Sequence, residues 1–352
     1  MRRIKIGNKY VGPKDPCLIM VDAGVNHNND PKRALDLISK AAESGADVVK
    51  FQTYKAKSMA TRVAERYWNP KLDTDGGGTQ FETFARIDGL PHESYKEMRI
   101  LANELNIILS STPFGLDDVD VLDEIDMDMF KIASADLVFD DLLAKVGERG
   151  KPVILSTGCS SLSEIEHAMN ILVNKNCNDI ILQHCILSYP CDDEDANLIK
   201  MVKIQEVFSD TPVGYSDHTY GLTVPLAAIA MGARSIEKHY TVDKGLPDSP
   251  DHSFSMDPDE LASLVHQRDR IEASFGHFFS GAYPAEGKAV LLARKSAVSD
   301  INIKKGEQIT KDMITWKRPG TGISPKETNY VIGRVAKHDI PEDTTLTWEM
   351  FV

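Results

Sequence analysis

The sequence has little cysteine, and the cysteines that it has follow no ligand spacing. The five positions are odd in number and include no closely spaced pair of the kind found in metal knuckles. We therefore expect reduced thiols rather than a disulfide framework, as is usual in a reducing compartment. The five residues are Cys17, Cys159, Cys177, Cys185 and Cys191.

Long apolar runs and an excess of basic residues are also missing. No apolar run approaches the ~18 residues that a membrane span needs, and Asp22 interrupts the apolar patch near the start. We expect neither a spanning helix nor a signal peptide, and hence a cytoplasmic enzyme. The formal net charge of -13 disfavours nucleic acid or an anionic membrane as a partner, because both reward clustered lysine and arginine. The negative net charge does not exclude a small anionic substrate bound in a locally basic pocket.

What the sequence does contain is a regular alternation of short apolar segments and amphipathic helices. With 42% hydrophobic and 26% charged residues, the composition is that of an ordinary globular protein. Eight apolar segments that each end in polar residues predict a closed (β/α)₈ barrel. An open doubly wound sheet is the alternative, although no glycine fingerprint for a dinucleotide follows the first strand. The predicted strands begin at Cys17, Ala46, Ile107, Met129, Pro152, Asp179, Pro212 and Ala233.

The chain is expected to divide into a barrel over residues 1–277, a linker over 278–291 and a small domain over 292–352. The last part has short strand-like pieces and turns, and ~60 residues bury too little surface for much of a core. We therefore expect it to lean on the barrel or on a second subunit. Within the barrel, Tyr54 to Leu90 interrupts the alternation with a long polar segment that includes Asp73 to Gly78. Such a loop is typical of a lid or substrate loop, and a disordered insertion is the alternative.

Two histidines lie at the ends of consecutive predicted strands. His218 follows the seventh strand and His239 the eighth, with about one helix between them. Since parallel strands end at one edge of a sheet, the two imidazoles are expected close together. With Asp217, Glu237 and Asp251 around them, they suit a divalent transition metal. The alternative is that each histidine separately satisfies a buried hydrogen bond.

Cationic and hydroxyl side chains end several other predicted strands. Two lysines and several hydroxyls beside a metal indicate a site for a phosphorylated or carboxylated small molecule. A Schiff-base aldolase would use Lys50 or Lys131 differently, and each lysine could also extend its charge to solvent at the rim. Spacing alone does not separate these uses. The set comprises Lys50, Gln52, Thr112, Lys131, Ser134, Ser156 and Ser216.

An ordered set of motifs resembles one enzyme family. The motifs are VDAGVNHNND, ADVVKFQT, SSTPF, FKIASAD, ILSTG, LQHCILSYP, GYSDHTYG, IEKHYTVDK and SPDHSFSMDP. They resemble the sialic acid synthase family, which includes N-acetylneuraminate, legionaminate and pseudaminate synthases, and WKRPGTGISP resembles the antifreeze-like (SAF, β-clip) domain that ends those enzymes. The resemblance covers nearly the whole chain. It implies a (β/α)₈ barrel with a SAF domain, a domain-swapped homodimer and a divalent metal, Mn²⁺ or Mg²⁺.

The resemblance also implies an activity and residue roles. The family condenses phosphoenolpyruvate with an open-chain N-acylated aminohexose to a nine-carbon 2-keto sugar acid and phosphate. His218 and His239 would hold the metal, which polarises the sugar aldehyde. Another phosphoenolpyruvate-dependent or Schiff-base aldolase, or a non-catalytic sugar-binding protein, is the alternative. Phosphoenolpyruvate is expected at Lys50, Thr112, Lys131, Ser134, Ser156 and Ser216, and the sugar at Gln52, Tyr189, Asp251 and, from the second subunit, Arg318.

Two residues depart from the family pattern. Asp22 stands where the family usually has a glutamate, which is thought to handle protons during water addition, so the carboxylate is one methylene shorter. We expect Asp22 to be the catalytic carboxylate, with a brace for the following loop as the alternative. Leu187 stands where the N-acetylneuraminate enzyme has a polar residue facing the sugar. An apolar side chain there favours a deoxygenated sugar, such as a precursor of legionaminate or pseudaminate.

Overall fold

The computed structural model describes residues 1–68, 77–247 and 249–352. The part of the polar segment that runs from Asp73 to Gly76 lies outside the described residues. The chain divides into two compact units, Met1–Phe275 and Gly276–Val352. All five cysteines are free thiols, as predicted. Among the residues that the structure describes, none of the helices combines the length and apolar character that a membrane span requires.

A short antiparallel hairpin, which the sequence did not reveal, precedes the barrel. Strand β1 (Ile4–Ile6) pairs with β2 (Lys9–Val11). Ile4, Ile6 and Val11 are buried in one apolar cluster with the first residues of the barrel strands. The hairpin therefore closes the N-terminal end of the barrel interior, opposite to the end where the predicted site residues lie.

The first unit is a closed barrel of eight parallel strands, in the order β10-β3-β4-β5-β6-β7-β8-β9. This confirms the predicted (β/α)₈ barrel and rules out the open sheet. Successive side chains of a strand point to opposite faces, so alternate residues face the barrel interior and the outer helices. The strands are β3 (Leu18–Gly24), β4 (Val48–Thr53), β5 (Ile108–Pro113), β6 (Phe130–Ile132), β7 (Val153–Ser156), β8 (Ile180–Cys185), β9 (Val213–Asp217) and β10 (Ser235–His239).

Helix α1 (Pro31–Glu43) shows how the sequence forms the outer layer. The Asp30 side chain accepts a hydrogen bond from the Lys32 amide at the helix N-terminus, and proline is well tolerated at the next position. Its buried residues, Ala34, Leu37, Ile38 and Ala41, recur at helical spacing and pack on the barrel. In chain order after it come α2 (Ala56–Met59), α3 (Gln80–Ile87), α4 (His92–Glu104), α5 (Leu116–Glu124), α6 (Asp140–Gly147), α7 (Leu162–Asn174), α8 (Leu198–Val207), α9 (Thr223–Ala230) and α10 (Pro258–Phe275).

Helices α2 and α3 lie in the 54–90 segment that was expected to be a loop. The expectation is wrong for these two stretches. Thr79 and Glu82 form a reciprocal capping box at the start of α3, which stabilises a helix whose two turns would otherwise be marginal. The short apolar stretch of α3 contributes Ile87 to a small cluster with Val25 and Tyr54. Helices α2 and α3 thus pack against the barrel mouth.

The second unit contains helix α11 (Gly287–Leu292), most of which falls in the predicted linker, and strands β11 (Ser296–Ser299) and β12 (Ile314–Lys317). The two strands pair antiparallel. Residues Ala297 to Phe351 contribute a core of nine buried side chains. Small as it is, this unit therefore has a hydrophobic core of its own.

Candidate active site

A cavity of about 430 Å³ lies at the C-terminal ends of the barrel strands. Every barrel residue that the sequence predicted for the site, except Asp217, lines this cavity, and so does Leu187. Arg318, by contrast, belongs to the second unit, one residue after β12. The predicted residues brought together are Asp22, Lys50, Gln52, Thr112, Lys131, Ser134, Ser156, Tyr189, Ser216, His218, His239 and Asp251.

Both lysines of the cavity are buried and paired with carboxylates. Lys50 Nζ lies 2.7 Å from Asp22 Oδ2 and 3.5 Å from Glu237 Oε1. Lys131 Nζ lies 3.2 Å from Glu237 Oε2 and donates a 2.7 Å hydrogen bond to Ser156 Oγ. Glu237 therefore sits between the two ammonium groups. A carboxylate in this place orients both cations toward the same region of the cavity.

The charges of this cluster follow from competing effects. Burial favours the neutral form of Lys50, but Asp22 and Glu237 outweigh it, so the pKa of Lys50 lies above its usual value. Burial likewise favours protonation of Asp22, but Lys50 and His239 outweigh it, so the pKa of Asp22 lies below its usual value. At neutral pH Asp22 is a carboxylate and Lys50 a cation. A cationic Lys50 is a poor imine former, because Schiff-base formation requires the neutral amine.

The two histidine rings lie edge to face, with an interplanar angle of 64° and a centroid separation of 5.3 Å. His218 Nδ1 lies 2.7 Å from the carbonyl oxygen of Ile186, so this nitrogen carries the proton and Nε2 keeps a free lone pair. Burial, followed by the nearby His239, lowers the pKa of His218 to about 3. His218 is therefore a neutral imidazole, as a metal ligand must be.

His239 was predicted to follow the eighth strand, but it is the last residue of that strand, β10. Its Nδ1 lies 3.1 Å from Asp251 Oδ2 and its Nε2 3.7 Å from Asp22 Oδ2. Burial opposes protonation, but Asp251 and Asp22 outweigh it, so the pKa of His239 is raised. His218 thus makes the buried hydrogen bond that the alternative interpretation expected. His239 Nδ1 lies near Asp251 but has no hydrogen-bond partner among the described residues. Both histidines line the same cavity.

The donor set fits a divalent metal. In each histidine Nδ1 lies beside an oxygen, the Ile186 carbonyl for His218 and the Asp251 carboxylate for His239, which leaves Nε2 as the ligand nitrogen. Asp22 Oδ1 is buried and finds no hydrogen-bond partner among the described residues. Within the same described part of the chain, no three histidine, cysteine, aspartate or glutamate side chains form a ready-made metal cluster. A metal here would take two imidazoles from the protein and its remaining ligands from substrate or water.

Asp217, which was expected beside the metal, lies elsewhere. Its side chain pairs with Lys238 Nζ at 2.5 Å, and both residues are buried and outside the cavity lining. The expectation is wrong because side chains alternate along a strand: Ser216 lines the cavity, and its neighbour Asp217 turns away from it. Glu237 and Asp251 do line the cavity as expected.

Sequence reasoning did not anticipate the contacts of Glu237, and it missed Asp136. It noted Glu237 only as an oxygen near the metal, because nothing in the sequence indicates contact with lysines from two other strands. It did not single out Asp136, a cavity-lining carboxyl whose pKa burial raises to about 6. Asp136 Oδ2 is buried and has no hydrogen-bond partner in the described part of the chain. Asp136 lies in the turn after β6, two residues beyond the predicted site residue Ser134, and this position could have indicated it from the sequence.

Aromatic residues form the wall above the histidines. The Tyr189 ring lies 4.1 Å from the His218 ring, and the Tyr67 ring lies 6.0 Å from that of Tyr189. Trp68 and Phe84 continue the row and also line the cavity. The described parts of the 54–90 segment therefore supply cavity wall, as a substrate loop would. That the segment moves as a lid stays a prediction.

Gly158 allows two lining side chains to approach the backbone after β7. A Cβ atom there would lie 2.7 Å from Leu187 Cδ1 and 2.8 Å from Ser134 Oγ, both too close for a real contact. The Gly158 amide donates a 3.0 Å hydrogen bond to Ser134 Oγ. Glycine at this position thus lets Leu187 and Ser134 share one corner of the cavity.

Comparison with known proteins agrees with this geometry. The NeuB family model matches residues 37–279, and the SAF domain model matches residues 294–352. The chain is 40% identical over 349 residues to an uncharacterized protein of Methanocaldococcus jannaschii, covering 99% of this chain and 98% of that protein. It is 39% identical over 328 residues to N,N'-diacetyllegionaminic acid synthase of Campylobacter jejuni, covering 93% and 97%.

A solved structure is similar as well. The N-acetylneuraminic acid (sialic acid) synthetase of Leptospira borgpetersenii superimposes with a TM-score of 0.71 at 33% identity, covering 82% of this chain and 95% of that chain. Family match, full-length relatives and barrel geometry point the same way. The chain therefore belongs to the NeuB family of enzymes, whose members include sialic acid and legionaminic acid synthases, and it carries a C-terminal SAF domain.

Proposed function

We propose that this enzyme is a transferase that condenses phosphoenolpyruvate with an open-chain N-acylated aminohexose, giving a nine-carbon 2-keto sugar acid and phosphate. The acceptor is N-acetylmannosamine or a 2,4-diacetamido-trideoxyhexose, and the metal is Mn²⁺ or Mg²⁺. The observation that carries the proposal is the pair of buried lysines, bridged by Glu237, beside two imidazoles in one cavity. Relatives named as synthases of nonulosonic acids support it.

Phosphoenolpyruvate suits the cationic corner of the cavity. Lys50 and Lys131 offer two charge-assisted donors, and a substrate carboxylate or phosphate would compete with Asp22 and Glu237 for them. Four hydroxyls complete this corner, and Ser156 already accepts a hydrogen bond from Lys131. The hydroxyls are those of Thr112, Ser134, Ser156 and Ser216. Because this corner is buried, each such hydrogen bond is stronger than it would be in water.

The sugar would lie between the histidines and the aromatic wall. A divalent metal held by Nε2 of His218 and of His239 would supply Lewis-acid polarisation of the aldehyde oxygen. The Ile186 carbonyl and the Asp251 carboxylate keep the two imidazoles in the required tautomer and orientation. Gln52 and Tyr189 would bind the rest of the sugar.

The chemistry also requires a proton acceptor. Carbon 3 of phosphoenolpyruvate forms a bond to the aldehyde carbon, water adds at carbon 2, and the tetrahedral intermediate loses phosphate by carbon–oxygen cleavage. Asp22 is ionised and lies 2.7 Å from Lys50 and 3.7 Å from His239. It is therefore the candidate base for the proton of the added water. Its shorter side chain calls for a position close to the reacting atoms.

The proposed assembly is a domain-swapped homodimer in which Arg318 of one subunit contacts the sugar N-acyl group bound in the other. The support is the family resemblance together with the place of Arg318 in the second unit. Mixed dimers test it. Arg318→Ala and His218→Ala should each be inactive alone. In a swapped mixed dimer, one of the two sites has both residues intact. Random mixing after dissociation makes about half of the dimers mixed, so it should restore about half an active site per dimer on average. No recovery from verified mixed dimers would exclude the swap.

The deciding experiment is phosphate release from phosphoenolpyruvate with Mn²⁺, with N-acetylmannosamine and a 2,4-diacetamido-trideoxyhexose offered in parallel. We expect release that depends on one sugar and stops when a chelator is added. A lysine adduct trapped by borohydride would instead establish imine chemistry. Absence of release with either sugar, from folded enzyme, would shift the assignment to another aldose or to a binding role.

A further inference from the structure

A buried ion pair joins the two strands that carry the histidines. Lys238, in β10, donates hydrogen bonds of 2.5 Å to Asp217 Oδ2 and to the carbonyl oxygen of Thr219. The side chains of Lys238 and Asp217 are at most 1% exposed. Both residues are outside the set of described residues that line the cavity. The pair therefore contacts neither substrate nor metal directly.

Lys238 of this pair is hydrogen-bonded to both residues that flank His218 in the chain. Asp217 Oδ1 accepts hydrogen bonds from the Thr219 amide at 3.1 Å and from Thr219 Oγ1 at 2.9 Å. Asp217 and Thr219 are the chain neighbours of His218, and Lys238 is the chain neighbour of His239. Lys238 and Asp217 are also direct partners in the β9–β10 register. The Lys238 ammonium group thus links the backbone on either side of His218 to the strand position next to His239.

Stability alone does not account for this pair. Removing two charges from water costs free energy that their attraction offsets only when the geometry and additional hydrogen bonds are good, and apolar residues of similar volume often serve as well. The best-attested use of a buried ion pair is to select one geometry among several. Here the geometry that it selects is the turn from Asp217 to Thr219.

We infer that Lys238 is a positioning residue whose ammonium group sets the separation and orientation of the His218 and His239 imidazoles. The Ile186 carbonyl fixes the rotation of the His218 ring, and Lys238 fixes the backbone on which that ring stands. The inference rests on the proposed function to the extent that the imidazoles serve a metal. Without Lys238, the turn would lose its anchor on β10, and the two nitrogen donors would no longer be held at one spacing.

Three variants test the inference. Lys238→Met keeps the length of the side chain and removes its charge. Because this leaves the Asp217 carboxylate buried without its cation, the double variant Lys238→Met/Asp217→Asn removes both charges and keeps the test available if the single variant does not fold. Lys244→Met is the matched control, since Lys244 forms an exposed ion pair with Glu260 in the same unit. Circular dichroism and thermal unfolding establish which variants are folded.

Two readouts separate positioning from general damage. The first is the ¹H–¹⁵N spectrum of ¹⁵N-histidine side chains in the metal-free enzyme, where the His218 resonances should shift in both Lys238 variants and stay in place in Lys244→Met. The second is Mn²⁺ affinity by electron paramagnetic resonance, with at least a tenfold rise in Kd expected. Phosphoenolpyruvate affinity without metal, measured by calorimetry, should change less than twofold.

Unchanged His218 resonances together with a Kd for Mn²⁺ within twofold of wild type would overturn the inference. An equal loss of Mn²⁺ and phosphoenolpyruvate affinity would overturn it too, since that pattern indicates general disruption of the barrel mouth. If the wild-type enzyme itself binds no Mn²⁺, the metal part of the proposed function fails. The histidine spectrum then decides on Lys238 alone: shifted resonances support positioning, and unshifted ones exclude it.

Discussion

Asp22 and Lys50 are direct partners in the register of adjacent barrel strands, and Lys50 Nζ lies 2.7 Å from Asp22 Oδ2. Strand pairing alone brings this carboxylate and this ammonium group together, so each tunes the charge of the other. The proposed base is thereby kept ionised, and the proposed phosphoenolpyruvate ligand is kept cationic.

Replacement of the proposed base should abolish most of the turnover. Asp22→Asn keeps the shape of the side chain and removes its basicity, so we expect kcat to fall by about 10²–10⁴-fold, the usual contribution of general acid–base catalysis. Phosphate release measures kcat. Asp210→Asn, at an exposed carboxylate, is the control. Retention of more than half of the wild-type kcat would leave Asp22 with the role of a loop brace.

Removal of the second lysine should weaken binding of the anionic substrate. Lys131→Met deletes a buried ammonium group whose hydrogen bonds to a charged partner are worth about 1.5–3 kcal/mol, so KM for phosphoenolpyruvate should rise about 10–100-fold. KM for the sugar should change little. Lys145→Met removes a surface cation paired with Asp120 and should leave both constants as they are. A rise confined to the sugar KM would place phosphoenolpyruvate elsewhere.

Each histidine should be required for metal binding. His218→Ala and His239→Ala each remove one of two imidazole ligands, and we expect Mn²⁺ affinity and turnover to be lost while thermal unfolding stays cooperative. Mn²⁺ titration and phosphate release are the measurements. His167→Ala, at an exposed histidine paired with Asp140, is the control. Full activity in either cavity variant would remove the metal assignment.

A methyl group at Gly158 should disturb both Leu187 and Ser134. Because the new Cβ atom would lie under 3 Å from each side chain, Gly158→Ala should cost about 1–3 kcal/mol in the free energy of unfolding and raise KM for phosphoenolpyruvate through Ser134. Adding Leu187→Ala should restore part of the stability. Gly287→Ala, at a position with open space among the described residues, is the control. Equal denaturation midpoints of Gly158→Ala and wild type would contradict the crowding.

Leu187 should influence the choice of sugar. Leu187→Asn introduces a polar side chain into the cavity wall, so the ratio of kcat/KM for the trideoxyhexose to that for N-acetylmannosamine should fall about 10-fold or more, as expected when a hydroxyl gains a hydrogen-bonding partner. Leu187→Met retains an apolar wall and should preserve the ratio. An unchanged ratio in the asparagine variant would mean that Leu187 does not face the sugar.

Much of the barrel and its site could be predicted from the sequence, since each apolar segment ends in polar residues and all parallel strands end at one edge. The hairpin Ile4–Val11 was missed, because strands of three residues leave no readable period. The helix at Gln80–Ile87 was missed because it lies in a long polar segment. Asp217 was wrongly predicted to face the site, because the prediction used closeness to the strand end and did not consider that side chains alternate between the two faces of β9.

The sequence by itself determined which strand ends form the mouth of the barrel, because apolar periodicity sets where each strand runs and stops. Only the tertiary structure decided which of their side chains pair. Closure places β10 beside β3, and the inward-facing side chains of different strands then meet across the barrel mouth. Glu237 thereby meets Lys50 and Lys131, and Lys238 meets the turn that holds His218. Such contacts depend on neighbours far apart in the chain, which no local pattern encodes.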